Sequence, residues 1–70
     1  MVDAQSLGTA VRRRRKQLGL TQTDLAESAG VSPPTVGDLE LGTGSTKFGT
    51  VLTILRVLGL NLDLHVKGQK

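Results

Sequence analysis

Five consecutive basic residues, Arg12 to Lys16, carry the most concentrated chemistry in this 70-residue chain. Guanidinium and ammonium groups at that density suit phosphate or carboxylate partners. On a helix, successive residues point about 100° apart, so five in a row spray around the axis and cannot form one site. Arg12, Arg13 and Lys16 are expected to face solvent or phosphate. Arg14 and Arg15 stand three and four residues after Val11 and flank an apolar stripe. An arginine drawn into a core needs a carboxylate, and Glu40, one residue past an inward-facing Leu39, is the acid best placed to meet Arg15. Arg15 and Glu40 are therefore expected to form a structural ion pair.

The other candidate sites are weaker. Gly42-Thr43-Gly44-Ser45-Thr46-Lys47 superficially suggests a nucleotide-phosphate loop. It lacks the Gly-Lys-Ser/Thr ending and a preceding strand, so a nucleotide site is not expected. Thr43, Ser45 and Lys47 read instead as a loop offering N–H groups, hydroxyls and an ammonium to DNA phosphates, or as plain loop. His65 is the one histidine, and cysteine is absent. No metal site, cofactor or catalytic constellation is expected from that inventory, and the chain is not expected to be an enzyme. The single aromatic, Phe48, sits at an expected core position, which leaves no platform for stacking single-stranded RNA bases.

Charge and composition point the same way. Nine Lys and Arg against six Asp and Glu give a net charge of +3, suited to a polyanionic partner. The lack of cysteine fits a reducing cytosol. No run approaches the ~18 apolar residues of a membrane span and no signal-peptide pattern is present, so a cytoplasmic, nucleoid-associated protein without a membrane partner is expected.

These groups must be positioned by short helices. Residues 1–5 read as a loose arm, and a helix is expected from Ser6 with Leu7, Ala10, Val11 and Leu18 on one face. Gly19 ends it. Thr21 is an N-cap candidate with Asp24 as its capping-box partner, and Leu25 and Ala26 point inward. Gly30 followed by Val31 suggests a left-handed helix cap. Ser32 is expected to cap a third helix with Pro33 at its first position, where a missing N–H costs nothing, and with Val36 and Leu39 buried. Two short helices joined through a few residues containing Gly make a helix-turn-helix. After Gly42 a loop leads to a fourth helix near Lys47 or Phe48, with Phe48, Val51, Leu52, Leu55 and Leu58 facing inward and Gly59 at its end.

The tail changes period. Leu60, Leu62, Leu64 and Val66 alternate with Asn61, Asp63, His65 and Lys67, a strand pattern. One strand cannot satisfy its own backbone, so a second copy of the chain is the simplest partner; a short fifth helix or frayed tail is the alternative. The expected organisation is an arm (1–5), a helix-turn-helix domain (6–59), a dimerisation strand (60–67) and a tail (68–70).

The segment VRRRRKQLGLTQTDLAESAGVSPPTVGDLELG resembles the helix-turn-helix of the phage Cro and cI repressors and the wider xenobiotic-response-element (XRE) family. The matching elements are RxxRxxLGLTQxxLA, AGVSxxTV and LExG. The continuation KFGTVLTILRVLGLNLDLHV is similar to the HipB branch, antitoxin partners of HipA-type kinases that end in a strand pairing across a homodimer.

The resemblance implies an all-α, four-to-five-helix lambda-repressor-like domain with a C-terminal strand completed across a dimer through Leu60, Leu62, Leu64 and Val66. It implies a sequence-specific repressor bound to palindromic double-stranded DNA, and an autoregulating antitoxin of a HipA-like kinase toxin. A protein-interaction module that neutralises a toxin with weak DNA binding, and a phage-type controller without a toxin, are the alternatives. Carried over by position, Thr21 and Gln22 would touch phosphate or an adjoining base, and Ser32, Pro33, Pro34, Thr35, Gly37 and Asp38 would lie along the major groove. Arg15 and Glu40 match the family's internal ion pair. Family members commonly carry polar or longer side chains where this chain has Pro33, Pro34 and Gly37. Proline cannot donate to a base edge, so phosphate contacts and DNA shape should carry more of the selectivity.

Overall fold

The computed structural model of the chain describes residues 3–64. Its elements are four helices, α1 (Ala4–Gln17), α2 (Gln22–Ala29), α3 (Pro33–Leu41) and α4 (Phe48–Leu58). None is long and apolar enough to cross a membrane.

The N-terminus corrects the sequence reading. The chain is helical from Ala4, so the expected arm over 1–5 and helix start at Ser6 lie too late. Asp3 makes the difference: its Oδ1 accepts from the Ser6 N–H at 2.7 Å, and its own N–H donates to Ser6 Oγ at 2.9 Å. That reciprocal bonding satisfies donors that a helix start otherwise leaves open. The inward side of α1 buries Gly8, Val11 and Arg15, and Leu7 packs half-buried against the core as expected. Ala10 and Leu18 are exposed, contrary to expectation, because Leu18 lies past the last helical turn. Gly8 is required by packing: a Cβ there would run into the carbonyl oxygens of Leu39 and Glu40, so α1 and α3 meet backbone to backbone.

The reciprocal box of α2 joins Thr21 and Asp24, at 2.9 and 3.0 Å. Gly30 adopts φ 70°, and the following Val31 N–H returns to the Ala26 carbonyl at 2.9 Å. Ala26 is fully buried beneath this turn. Ser32 stands at the N-cap of α3 by backbone geometry, but its side chain makes no cap bond. Its hydroxyl lies 2.8 Å from the Thr35 hydroxyl instead, which corrects the expected side-chain cap.

In α4 the buried face is Val51, Ile54, Leu55 and Leu58. Phe48, 65% exposed, and Leu52 do not face inward as expected, while Ile54 is fully buried. Apolar residues occupy most sides of this helix, so spacing alone did not choose between two neighbouring stripes. The core joins Val11, Leu25, Ala26, Val36, Leu39 and the α4 face, with Leu60 and Leu62 packed at its edge.

After Gly59, residues 60–64 form no regular structure, and no strand is present among the described residues. Leu64 is 90% exposed. The other described residues, all helix or loop, offer this segment no ladder to join. Val66, with His65 and Lys67, lies outside the described residues.

Candidate nucleic-acid interface

Three helix ends and a loop assemble the candidate surface. Arg15 joins them from beneath. Its Nε–H donates to Glu40 Oε2 at 2.7 Å and an Nη2–H to Glu40 Oε1 at 3.0 Å, the bidentate geometry of a strong guanidinium–carboxylate pair. A third donor, Nη1–H, reaches the Leu20 carbonyl at 2.8 Å. The two side chains are 9% and 4% exposed. Hydrogen bonding to Glu40 raises the guanidinium's pKa further, with burial opposing. The pair thus ties α1 to α3 and to the turn before α2.

Glu40 also accepts from Gln22 Nε2 at 3.2 Å, so the first residue of α2 is drawn onto α3. Thr21, exposed, uses its hydroxyl oxygen on the Asp24 N–H. The Asp24 carboxyl is held below the usual range by the Thr21 N–H first and by the Thr21 hydroxyl second. On α3, Pro33, Pro34 and Asp38 are exposed, and Thr35 and Gly37 are half-buried. The Thr35 N–H is taken by the Ser32 carbonyl at 3.0 Å. With two prolines before it, the start of α3 has no spare N–H for an anion.

The start of α4 is different. Lys47 stands at its N-cap with no side-chain cap bond, leaving N–H groups of the first turn open. Beside it is a groove of about 210 Å³ lined by Thr35, Asp38, Ser45, Thr46, Lys47 and Thr50. The loop is ordered locally: Ser45 N–H donates to Thr43 Oγ1 at 3.3 Å, and the two hydroxyls are 2.8 Å apart. A helix N-terminus, an ammonium and several hydroxyls can hold phosphate oxygens, while Asp38 opposes an anion at the α3 edge. Thr46 and Thr50 were missed from sequence; Thr50 was legible only through the start of α4, since it lies in the first turn.

The remaining basic residues divide. Arg12, Arg13 and Lys16 are exposed. Arg14 turns inward, its Nε–H donating to the Leu58 carbonyl at 2.9 Å, where it satisfies the C-terminus of α4.

Residues 11–65 match the helix-turn-helix family. The chain is a member of it. It is 38% identical over 64 residues to the HTH-type transcriptional regulator y4mF of Sinorhizobium fredii, covering 91% of this chain and 84% of that one. Its fold is HipB-like. A chain of a HipB-O4 20mer complex superposes with a TM-score of 0.84 at 28% identity, covering 96% of this helix-turn-helix chain and 94% of the other. A chain from a HipA-HipB-O2-O3 complex matches with the same TM-score of 0.84 and the same identity, 28%. The XRE-type likeness read from RxxRxxLGLTQxxLA thus extends to three dimensions. This helix-turn-helix protein is similar to regulators over nearly its whole length.

Proposed function

We propose that this chain is a homodimeric, sequence-specific DNA-binding repressor. The observation that carries the proposal is the groove between α3 and the uncapped start of α4. There Lys47, Thr46, Ser45 and Thr50 can grip a phosphate strand while the outer side of α3 lies along the major groove. In this reading Gln22, Pro33, Pro34, Thr35, Gly37 and Asp38 meet the base pairs, and Thr43, Ser45 and Lys47 meet the backbone. Ser32 and Thr21 stand at its edges. Membership of the helix-turn-helix family and likeness to the HipB 20mer complex support it.

Leu60, Leu62, Leu64 and Val66 would pair as strands across the two-fold axis. The exposed Leu64 and the alternating row support this, since among the described residues the segment joins no strand. Two recognition helices so related would read half-sites about one helical turn apart in a palindromic operator. An antitoxin role beside a HipA-like kinase follows the same likeness, through the complex that contains HipA. The proline-paired start of α3, without N–H donors, favours a second reading, a toxin-neutralising module that binds DNA weakly.

A gel-shift titration against DNA upstream of the chain's own coding sequence, with unrelated duplex as competitor, tests the proposal. A discrete complex that survives competitor is expected. Equal binding to unrelated DNA, or none, would reject the repressor reading and promote the protein-interaction one.

A further inference from the structure

The side-chain amide of Gln22 is oriented by chemistry as well as by packing. A carboxylate only accepts, so Gln22 must turn Nε2 toward Glu40 at 3.2 Å, leaving Oε1 and the second N–H for another partner. Glu40 cannot follow the amide if it swings, because Arg15 fixes both carboxylate oxygens at 2.7 and 3.0 Å. Gly37 completes the seat. A Cβ built there would lie 3.8 Å from Oε1 and 3.9 Å from Nε2, ordinary contact, so any side chain larger than a methyl would crowd the amide.

The α3 surface has little else with which to read a base. Pro33, Pro34 and Gly37 have no side-chain donor, the Ser32 and Thr35 hydroxyls engage each other and keep one free proton between them, and the Asp38 carboxylate only accepts. Gln22 is the one side-chain amide on α2 and α3. Building on the DNA-binding reading above, we infer that Gln22, although carried by α2, supplies to the base edges the amide that α3 lacks, with a preference for adenine. Adenine offers an N6 donor and an N7 acceptor in the major groove, complementary to a free amide oxygen and N–H. A phosphate, which only accepts, would leave Oε1 without use. Glu40, and Arg15 behind it, are positioning residues.

The test is selection of duplexes from a random-sequence library by the full chain, followed by binding measurements with each base pair substituted in the selected duplex. Gln22→Ala should weaken binding between about 5-fold and 150-fold and erase the preference at one A·T pair per half-site, leaving other positions unchanged. Gly37→Leu should push the amide off its seat and erase the preference with the Arg15–Glu40 pair intact. Glu40→Gln should also reduce it, and should have no further effect on it once Gln22 is alanine, although it still lowers the melting temperature. If Gln22→Ala weakens binding equally for every base at every position, the amide touches only phosphate and the inference is overturned. If the wild-type chain enriches no duplex, the DNA-binding proposal itself fails.

Discussion

At the scale of single residues, Arg15 separates structure from solvent within the basic run. Removing one partner of a buried ion pair strands the other and costs ~3–5 kcal/mol. Arg15→Ala should therefore lower the melting temperature far more than Arg12→Ala, a surface change within about ±0.5 kcal/mol. Similar small shifts in calorimetry would contradict the pair's structural weight. Asp24 gives a pH signature. Its carboxyl titrates lower in the folded chain than in the unfolded one, so its stabilising effect is complete at neutral pH. The effect fades as pH falls from about 4, the ordinary aspartate range, through the lowered folded value. Asp24→Asn should flatten the melting-temperature profile in that acid range. An unchanged profile would show that the Thr21–Asp24 bonds do not persist in solution.

At the scale of elements, the two caps of the helix-turn-helix differ despite similar sequence. Thr21→Ala removes a bond to a backbone N–H and should cost ~0.5–2 kcal/mol, whereas Ser32→Ala removes only a contact between hydroxyls and should cost less. Equal losses would mean that Ser32 caps α3 after all. On α4, Ile54→Ala should cost ~2–5 kcal/mol and Phe48→Ala much less, since only Ile54 is enclosed. These contrasts mark what could be read from sequence. The Thr21 box, the Gly30 turn and the Pro33 start depend on neighbours within a few residues, so residue type and spacing reveal them. The inward face of α4 depends on which side meets α2, which a helix apolar on most sides does not disclose. The Asp3–Ser6 box was local too, but it has a serine where Glu or Gln usually signals a helix start. For the candidate surface, the position of the loop and of Gln22 at a helix start was legible. The Gln22–Glu40 bond was not, because it spans 18 residues and exists only once α3 has docked.

At the scale of the whole molecule, the proposed function rests on the tail and on the groove beside α4. Leu64→Lys alters a side chain with little contact inside one chain, so it should leave the fold intact and shift sedimentation from dimer to monomer. A persistent dimer would remove the strand-pairing proposal. Phosphate contacts release counterions, and each contact adds about 0.9 to the slope of log affinity against log salt. Since Lys47 stands at the groove beside the open start of α4, its loss should be felt alike by every DNA sequence. The most direct measurement is a fluorescence-anisotropy titration of the chain and of Lys47→Ala against one duplex over a series of salt concentrations. Steeply salt-dependent binding is expected, with the Lys47→Ala slope shallower by about one. Binding indifferent to salt, or a slope unmoved by the loss of Lys47, would contradict the assignment of this surface to DNA.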